Sequence, residues 1–242
     1  MNIIIPMAGQ GSRFALSDFA LPKPLIDVAG KAMYRHAVDS MPLHLATKLI
    51  FILRESAFLN FLISDIKSNY FSRFVCSIVI LNEDTRGQAE TVLKGESVLN
   101  LNEPTLIHNC DSEILFDPSW ENILKENIDG ALILFESQEE RWSYAKLDIK
   151  EEKIIDVQEK KVISSHASTG TYFFKDSTAL INNIQTIINK NLLENNEYYL
   201  STVFQLMLQQ QKLLKPLWTK SFLCFGTPQD LVNSLNFIIA NK

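Results

Sequence analysis

Five short, unbroken apolar runs constrain this 242-residue chain more than any other feature. They cover residues 3–5, 48–53, 77–81, 105–108 and 131–135. Each is the pattern of a strand buried on both faces. Segments with helical spacing lie between them, over 32–40, 58–69, 88–99 and 120–126. Strand alternating with helix predicts an α/β fold with a mixed, mostly parallel sheet flanked by helices. The second half is less regular. It reads as a hairpin over 144–149 and 153–157, a strand at 168–174, helices at 178–189 and 199–210, and a last short strand at 223–225. Pro228 suits the first turn of a terminal helix, where its missing N–H costs little. No linker, repeat or low-complexity tract interrupts the sequence, so residues 1–242 are expected to form a single domain with a small distal lobe.

A net charge of −5 argues against broad binding to DNA or RNA, because a polyanionic partner usually leaves a basic excess. A local anion site stays open. Cys76, Cys110 and Cys224 lie far apart, with neither metal-ligand spacing nor a disulfide framework, which suits a reducing cytoplasm. No basic n-region or cleavage site marks a signal peptide, and no apolar run could span a bilayer.

The first strand runs into Gly9-Gln10-Gly11 and then Arg13. This begins like a dinucleotide fingerprint. However, Phe14 takes the place of the third glycine, no helix is expected there, and Leu21-Pro22-Lys23-Pro24 keeps the chain extended. A Walker loop fails as well, since Gly30-Lys31 precedes Ala32 and lacks an upstream glycine at the right distance. What remains is a long loop at the carboxyl end of a strand, the edge where open α/β sheets bind ligands. Glycines let backbone N–H groups converge on an anion, and Arg13 and Lys23 add two full charges. The alternative is a surface loop with two solvated cations. Position, prolines and cations together favour a phosphate site.

The stretch PMAGQGSRF…LPKPLIDVAGKAMYRHAVD resembles the signature of the sugar nucleotidyltransferases, or nucleotide-sugar pyrophosphorylases. RGQAETVL, HNCD, WSYAKLD, QEKK, STGTYFF, NEYYLSTVF and FGTPQDL follow in the family's order. The resemblance implies a GT-A-like, Rossmann-like nucleotidyltransferase fold. It also implies transfer of a nucleoside monophosphate from a triphosphate to a phosphorylated small molecule, with Mg²⁺ as cofactor. Ala8, Gly9, Gly11 and Ser12 would wrap the triphosphate, Arg13 would stabilise its β- and γ-phosphates, and Lys23 would reach the α-phosphate. Asn82 would read the base and Gly87 would admit it; as residues alone, Asn82 is equally a strand-end turn. A pyrimidine is expected, CTP slightly ahead. Asp111 would hold the metal, or else cap the next segment.

On the acceptor side the resemblance places Tyr144, Ala145, Glu159, Lys160, Thr169, Gly170 and Glu197. Read alone, Glu159 and Lys160 belong to a solvated charge run, and Glu197 is a carboxylate at a helix N-terminus. Cys224 stands where many relatives carry a second metal-binding Asp or Asn, and a thiol suits Mg²⁺ poorly. Glu113 is then a candidate second ligand, while Asp230, close in sequence, is expected to point from the following helix. His108 reads as a core histidine, and Trp142 and Trp218 as packing. A GT-A glycosyltransferase and a non-catalytic nucleotide-binding protein are the competing classes. By the same resemblance the acceptor is expected to be a sugar phosphate or a non-sugar phosphate, the pathway that of a surface or capsular glycan, and the protein a monomer or homodimer.

Overall fold

The computed structural model describes residues 1–17, 19–116 and 119–241, with the backbone alone for Ala15. In chain order the elements are β1 (Asn2–Met7), α1 (Ser12–Ala15), β2 (Asp27–Val28), β3 (Lys31–Ala32), α2 (Met33–Asp39), β4 (Lys48–Arg54), α3 (Leu59–Ile66), β5 (Cys76–Leu81), α4 (Gln88–Leu93), β6 (Thr105–His108) and β7 (Ser112–Phe116). There follow α5 (Trp120–Lys125), β8 (Gly130–Glu136), β9 (Ser143–Asp148), β10 (Lys153–Glu159), β11 (His166–Phe174), α6 (Ser177–Asn189), α7 (Leu200–Gln209), β12 (Leu214–Cys224) and α8 (Pro228–Ala240).

The main sheet runs β5-β4-β1-β6-β11-β8-β12-β7, with the β9–β10 hairpin attached to β11. Strands β5, β4, β1 and β6 are mutually parallel. β11 inserts antiparallel between β6 and β8, and β12 returns parallel to β8. This is the mixed, mostly parallel sheet that the alternating runs predict. Successive side chains of a strand face opposite sides. Ile4, Ile50, Ile52, Ile107, Leu132 and Leu134 therefore pack with residues of α4, α6 and α7 such as Val92, Ile184 and Phe204. Ile3, Ile5, Phe51, Leu53, Leu106 and Ile133 pack on the other side with Tyr34, Leu62 and Trp120 from α2, α3 and α5. A small third cluster of Phe14, Ile26, Val28, Met33, Phe225 and Leu231 lies beneath the proline-rich loop.

The structure corrects several expectations. A single helical turn, α1, does begin at Ser12, because Gly11 turns left-handed (φ 62°) and redirects the chain. The helix expected over 58–69 is α3 followed by a π-turn at Lys67–Phe71. That expected over 88–99 stops at Leu93; a 3₁₀ turn follows after Gly95, whose missing Cβ makes room for Ile52 Cδ1 at 2.9 Å. The short strand at 223–225 is the end of the 11-residue β12, whose Lys215, Pro216, Thr219 and Lys220 hid it. β7 was not expected, because it starts three residues after β6 and mixes Ser112 and Glu113 with its apolar residues.

Candidate active site

The carboxyl ends of β1, β5 and β6 open onto one cleft of about 760 Å³. Its first wall is the glycine loop, with Ala8, Gly9, Gly11, Ser12 and Arg13 all lining it. Only Gly11 has a steric reason to be glycine: its φ is positive, and a Cβ would lie 3.3 Å from Lys23 Cβ. The loop is tied across the cleft, since Gln10 Nε2 donates to Asp84 Oδ2 at 2.8 Å. Arg54 holds the other oxygen of Asp84 at 2.9 Å. Arg13 is exposed, and its guanidinium has no ion-pair partner among the described residues.

Lys23 comes off a 3₁₀ turn that opens at Pro22, and its Nζ forms an ion pair with Asp111. It also lies 3.3 Å from the Gly226 carbonyl. Burial would lower the Lys23 pKa, but Asp111 more than offsets this and the pKa is raised. Burial would equally raise Asp111, and Lys23 holds it below the usual carboxylate range. Both groups are therefore charged at neutral pH, and each keeps the other so.

Cys224, Asp230 and Asp111 converge on Gly226. A Cβ there would lie 3.1 Å from Cys224 Sγ, 3.5 Å from Asp230 Oδ2 and 3.7 Å from Asp111 Oδ2. Asp230 sits on the following helix, as expected, and its carboxylate comes close to Gly226 without lining the cleft. Thr227 caps α8, and the first turn places Asp230 against Thr227 Oγ1 at 2.7 Å and Arg141 Nη1 at 2.6 Å. Burial opposes its ionisation, but Arg141 and Thr227 keep its pKa low. Burial and the neighbouring carboxylates Asp111 and Asp230 push the Cys224 thiol up to about 12, so it is protonated at neutral pH. Glu113 is ruled out as a second ligand beside Asp111: its carboxylate turns to His36 Nδ1 at 2.6 Å. Among the described residues, no group of three or more His, Cys, Asp or Glu side chains could hold a metal ion. His108 is a core histidine as expected; burial pushes its pKa down to about 4, Nε2 donates to the Ser112 carbonyl at 2.9 Å and Nδ1 accepts from Thr171.

The far wall is the distal lobe. Glu159 and Lys160, at the end of β10, both line the cleft. Lys160 Nζ donates to Tyr199 Oη at 2.7 Å, and Ser201 Oγ donates to Glu159 Oε2 at 2.7 Å. Burial, reinforced by Glu194 and Glu197 and opposed by Ser201 and Lys160, lifts the Glu159 pKa to about 7. Thr169 and Gly170 line the floor where β11 is irregular against β8. Gly170 must be glycine: its φ is 79°, and a Cβ would lie 2.0 Å from Asn109 Nδ2. Glu197 is at the rim.

Three expected site residues fall elsewhere. Tyr144 and Ala145 are wholly buried, and the Tyr144 hydroxyl donates to the Glu139 carbonyl at 2.7 Å. The residue of β9 that reaches the cleft is Ser143. Asn82 is exposed at the start of the loop after β5, whose cleft wall begins only at Asp84. Gly87 does line the cleft, but its glycine is required by another contact: with φ 119°, a Cβ would lie 2.6 Å from the Tyr198 carbonyl oxygen. Sequence reasoning also missed Arg86, Gln88, Asn109 and Arg141, which line the cleft. The first three sit inside the RGQAETVL and HNCD motifs, where their residue types were legible but their direction was not.

Arg13, Lys23, Arg86, Arg141 and Lys160 thus face the cleft with only Asp84, Asp111, Glu159 and Glu197 against them. The lining is thus close to neutral in a chain of net charge −5, and it gathers five cations where the parallel strands end, the edge at which α/β folds bind ligands.

The chain belongs to the nucleotidyl transferase family, whose model matches residues 2–240, and it is a nucleotidyltransferase. Solved structures agree. A nucleoside-diphosphate-sugar pyrophosphorylase from Vibrio cholerae superposes with a TM-score of 0.85 at 25% identity, covering 97% of this chain and 99% of its own. A UDP-glucose pyrophosphorylase complexed with UDP-glucose gives 0.79 at 15% identity, covering 100% and 99%. The inositol-1-phosphate CTP transferase of T. maritima gives 0.74 at 14%, covering 97% and 96%. These last two likenesses concern the fold alone. No curated protein matches the sequence significantly.

Proposed function

We propose that this enzyme transfers a nucleoside monophosphate from a triphosphate to a sugar phosphate or a similar phosphorylated metabolite and releases pyrophosphate. The observation that carries the reading is the Lys23–Asp111 pair, set behind the glycine loop with Arg13 unengaged at its mouth. A phosphate oxygen of the acceptor attacks the α-phosphorus, and the bond from that phosphorus to the β-phosphate oxygen breaks as pyrophosphate leaves. The nucleophile needs no strong base, since a phosphate monoester loses its second proton near pH ~6. The difficulty is bringing two anions together, which falls to fixed charge and positioning.

In this reading the glycine-loop backbone and Ser12 hold the triphosphate, Arg13 the departing pyrophosphate and Lys23 the α-phosphate. Lys160 holds the acceptor phosphate, with Glu159, Thr169, Gly170 and Glu197 around the acceptor. Asp111 offers a hard carboxylate of the kind that, with substrate phosphates, holds Mg²⁺. Bound there, the ion would neutralise charge on the phosphates. Arg141, held by Asp230, adds a fixed cation beside Cys224. The base is read as a pyrimidine, CTP ahead. Gln88, which lines the cleft directly after Gly87, replaces Asn82 as the amide that reads it. Three free thiols suit the cytoplasm, and among the described residues no helix is long and apolar enough to cross a membrane. The product would feed sugar-nucleotide biosynthesis for a surface glycan.

The test is pyrophosphate release from each common triphosphate, paired with a panel of sugar and non-sugar phosphates. One triphosphate and one acceptor class should dominate. Pyrophosphate from no pairing, or consumption of a ready-made nucleotide sugar instead, overturns the reading.

A further inference from the structure

Arg141 stands in the turn before β9 and lines the cleft. Its Nη1 donates to Asp230 Oδ2 at 2.6 Å, and its Nε donates to Glu139 Oε2 at 2.6 Å. Its guanidinium carbon lies 4.2 Å from the centre of the Trp142 ring. That indole is held in turn by edge contacts with Phe135 and Phe222, at ring-centre distances of 5.4 and 5.6 Å. The guanidinium carries more N–H donors than these contacts use, and no group among the described residues accepts from Nη2.

The two carboxylates are not equivalent. The Glu139 side chain is 62% exposed, and an ion pair so open to water contributes little. The Asp230 side chain is 10% exposed. Its Oδ2 also accepts from Thr227 Oγ1 at 2.7 Å, and Cys224 Sγ lies 3.7 Å away. The Asp230 N–H donates to Thr227 Oγ1 at 3.1 Å, so the first turn of α8 sets where this carboxylate stands. Arg141 lines the cleft and Asp230 does not. The pair therefore turns its positive end to a ligand.

Arg141 also stands between the two lysines of the cleft. The Lys160 N–H donates to the Trp142 carbonyl at 3.0 Å, and Glu159 pairs with Ser143, so Lys160 and Arg141 share one end of the β9–β10 hairpin. On the other side, Asp230 Oδ2 and Asp111 Oδ2 lie 3.5 and 3.7 Å from the place of a Gly226 Cβ, and Asp111 holds Lys23.

We propose that Arg141 binds the phosphate of the acceptor through Nη2, and that Asp230 is the residue that positions it. This role rests on the transfer reaction proposed above and assigns, within it, the group that aims the attacking oxygen. Lys160 supplies a point charge, which attracts a phosphate without orienting it. A planar guanidinium fixed on one face by an indole and on one edge by a buried carboxylate orients the oxygens as well. An acceptor without a phosphate would leave this cation unmatched, so the same clamp selects for phosphomonoesters.

Arg141→Met keeps an unbranched stem over Trp142 and removes the donors. In pyrophosphate release it should raise the KM of the acceptor that supports turnover about 10- to 100-fold, with the triphosphate KM within about twofold of the parent. Arg141→Lys keeps the charge without the fork and should fall between. Asp230→Ala should raise the acceptor KM too, but should add nothing on top of Arg141→Met, a pattern that a merely structural role would not give. Methyl phosphate titrated by phosphorus NMR needs no turnover, and its Kd should rise about tenfold or more in both single variants. Equal methyl phosphate affinity in the parent and Arg141→Met, or a raised triphosphate KM with the acceptor KM unchanged, would overturn the role of Arg141. Full additivity of the two substitutions would overturn that of Asp230. If no pairing releases pyrophosphate yet Arg141→Met loses methyl phosphate affinity, the transfer reaction fails and the phosphate site stands. Arg141 is exposed, so its variants keep the proposal testable should Asp230→Ala fail to fold.

Discussion

Glu159 offers the sharpest test of the site's electrostatics. Its carboxyl is lifted to about 7 by burial between β10 and α7, against a usual value near 4.5. Between those values the folded protein holds a proton that the unfolded chain has released. Unfolding therefore releases a proton there, and stability falls as pH rises from about 4.5 to about 7. Two and a half units at about 1.4 kcal/mol each give a ceiling of about 3 kcal/mol. Glu159→Gln removes the ionisation while keeping an oxygen to accept from Ser201 Oγ. At pH 5 the variant and the parent should be nearly equal in stability. At pH 8 the variant should be more stable, by up to about 3 kcal/mol. Urea unfolding monitored by tryptophan fluorescence at several pH values measures this directly, with Ser201→Ala as a control that removes the hydroxyl opposing the shift. A stability difference that does not change between pH 5 and pH 8 would refute the argument, because no shifted proton would then be coupled to folding.

Other expectations follow from the same geometry. Arg13→Ala and Asp111→Asn should each lower the pyrophosphate-release rate by on the order of 10²–10³; Arg13→Ala should leave unfolding unchanged within about 0.5 kcal/mol, since its side chain is exposed. Gly87→Ala should cost about 2–4 kcal/mol in denaturant unfolding, from a positive φ combined with a clash on the Tyr198 backbone. Asn82→Ala should leave the choice among triphosphates unchanged in competition assays, whereas Gln88→Ala should relax it. The reverse pattern would return base reading to Asn82.

The sequence made the parallel core legible because β1, β4, β5, β6 and β8 are short apolar runs with helices between them. β7 and β12 were obscured because they mix polar with apolar residues and border the cleft through Ser112, Phe222 and Cys224. For the site, residue types carried further than directions. Gly11, Arg13 and Lys23 could be placed on one loop from residue type and spacing, and the structure lines a single cleft with all three and with Asp111. Tyr144 could not be separated from Ser143, since neighbouring strand residues face opposite ways and a shift of one exchanges pocket for core. Gly87 and Gly170 both line the cleft, but the contacts that require glycine there are long-range, to Tyr198 and Asn109.

Those long-range contacts also tie the two walls of the cleft together. The Tyr198 N–H donates to the Arg86 carbonyl at 2.6 Å, and its carbonyl accepts from the Ala89 N–H at 3.0 Å. The Arg86 guanidinium lies over the Tyr198 ring at 4.9 Å. The segment carrying Glu197 and Tyr199 is thereby hung on the loop that carries Arg86 and Gln88. Gly170 and Asn109 join the two halves again at the floor, where Gln88 donates to Asn109 Oδ1 at 2.6 Å. Neither wall can shift far without breaking backbone bonds to the other. Lys23 and Lys160, on opposite walls, are accordingly held in a fixed relation before any ligand arrives. Fixed charges need little reorganisation as an acceptor phosphate approaches a bound triphosphate, and that saving is what electrostatic preorganisation contributes to such a reaction.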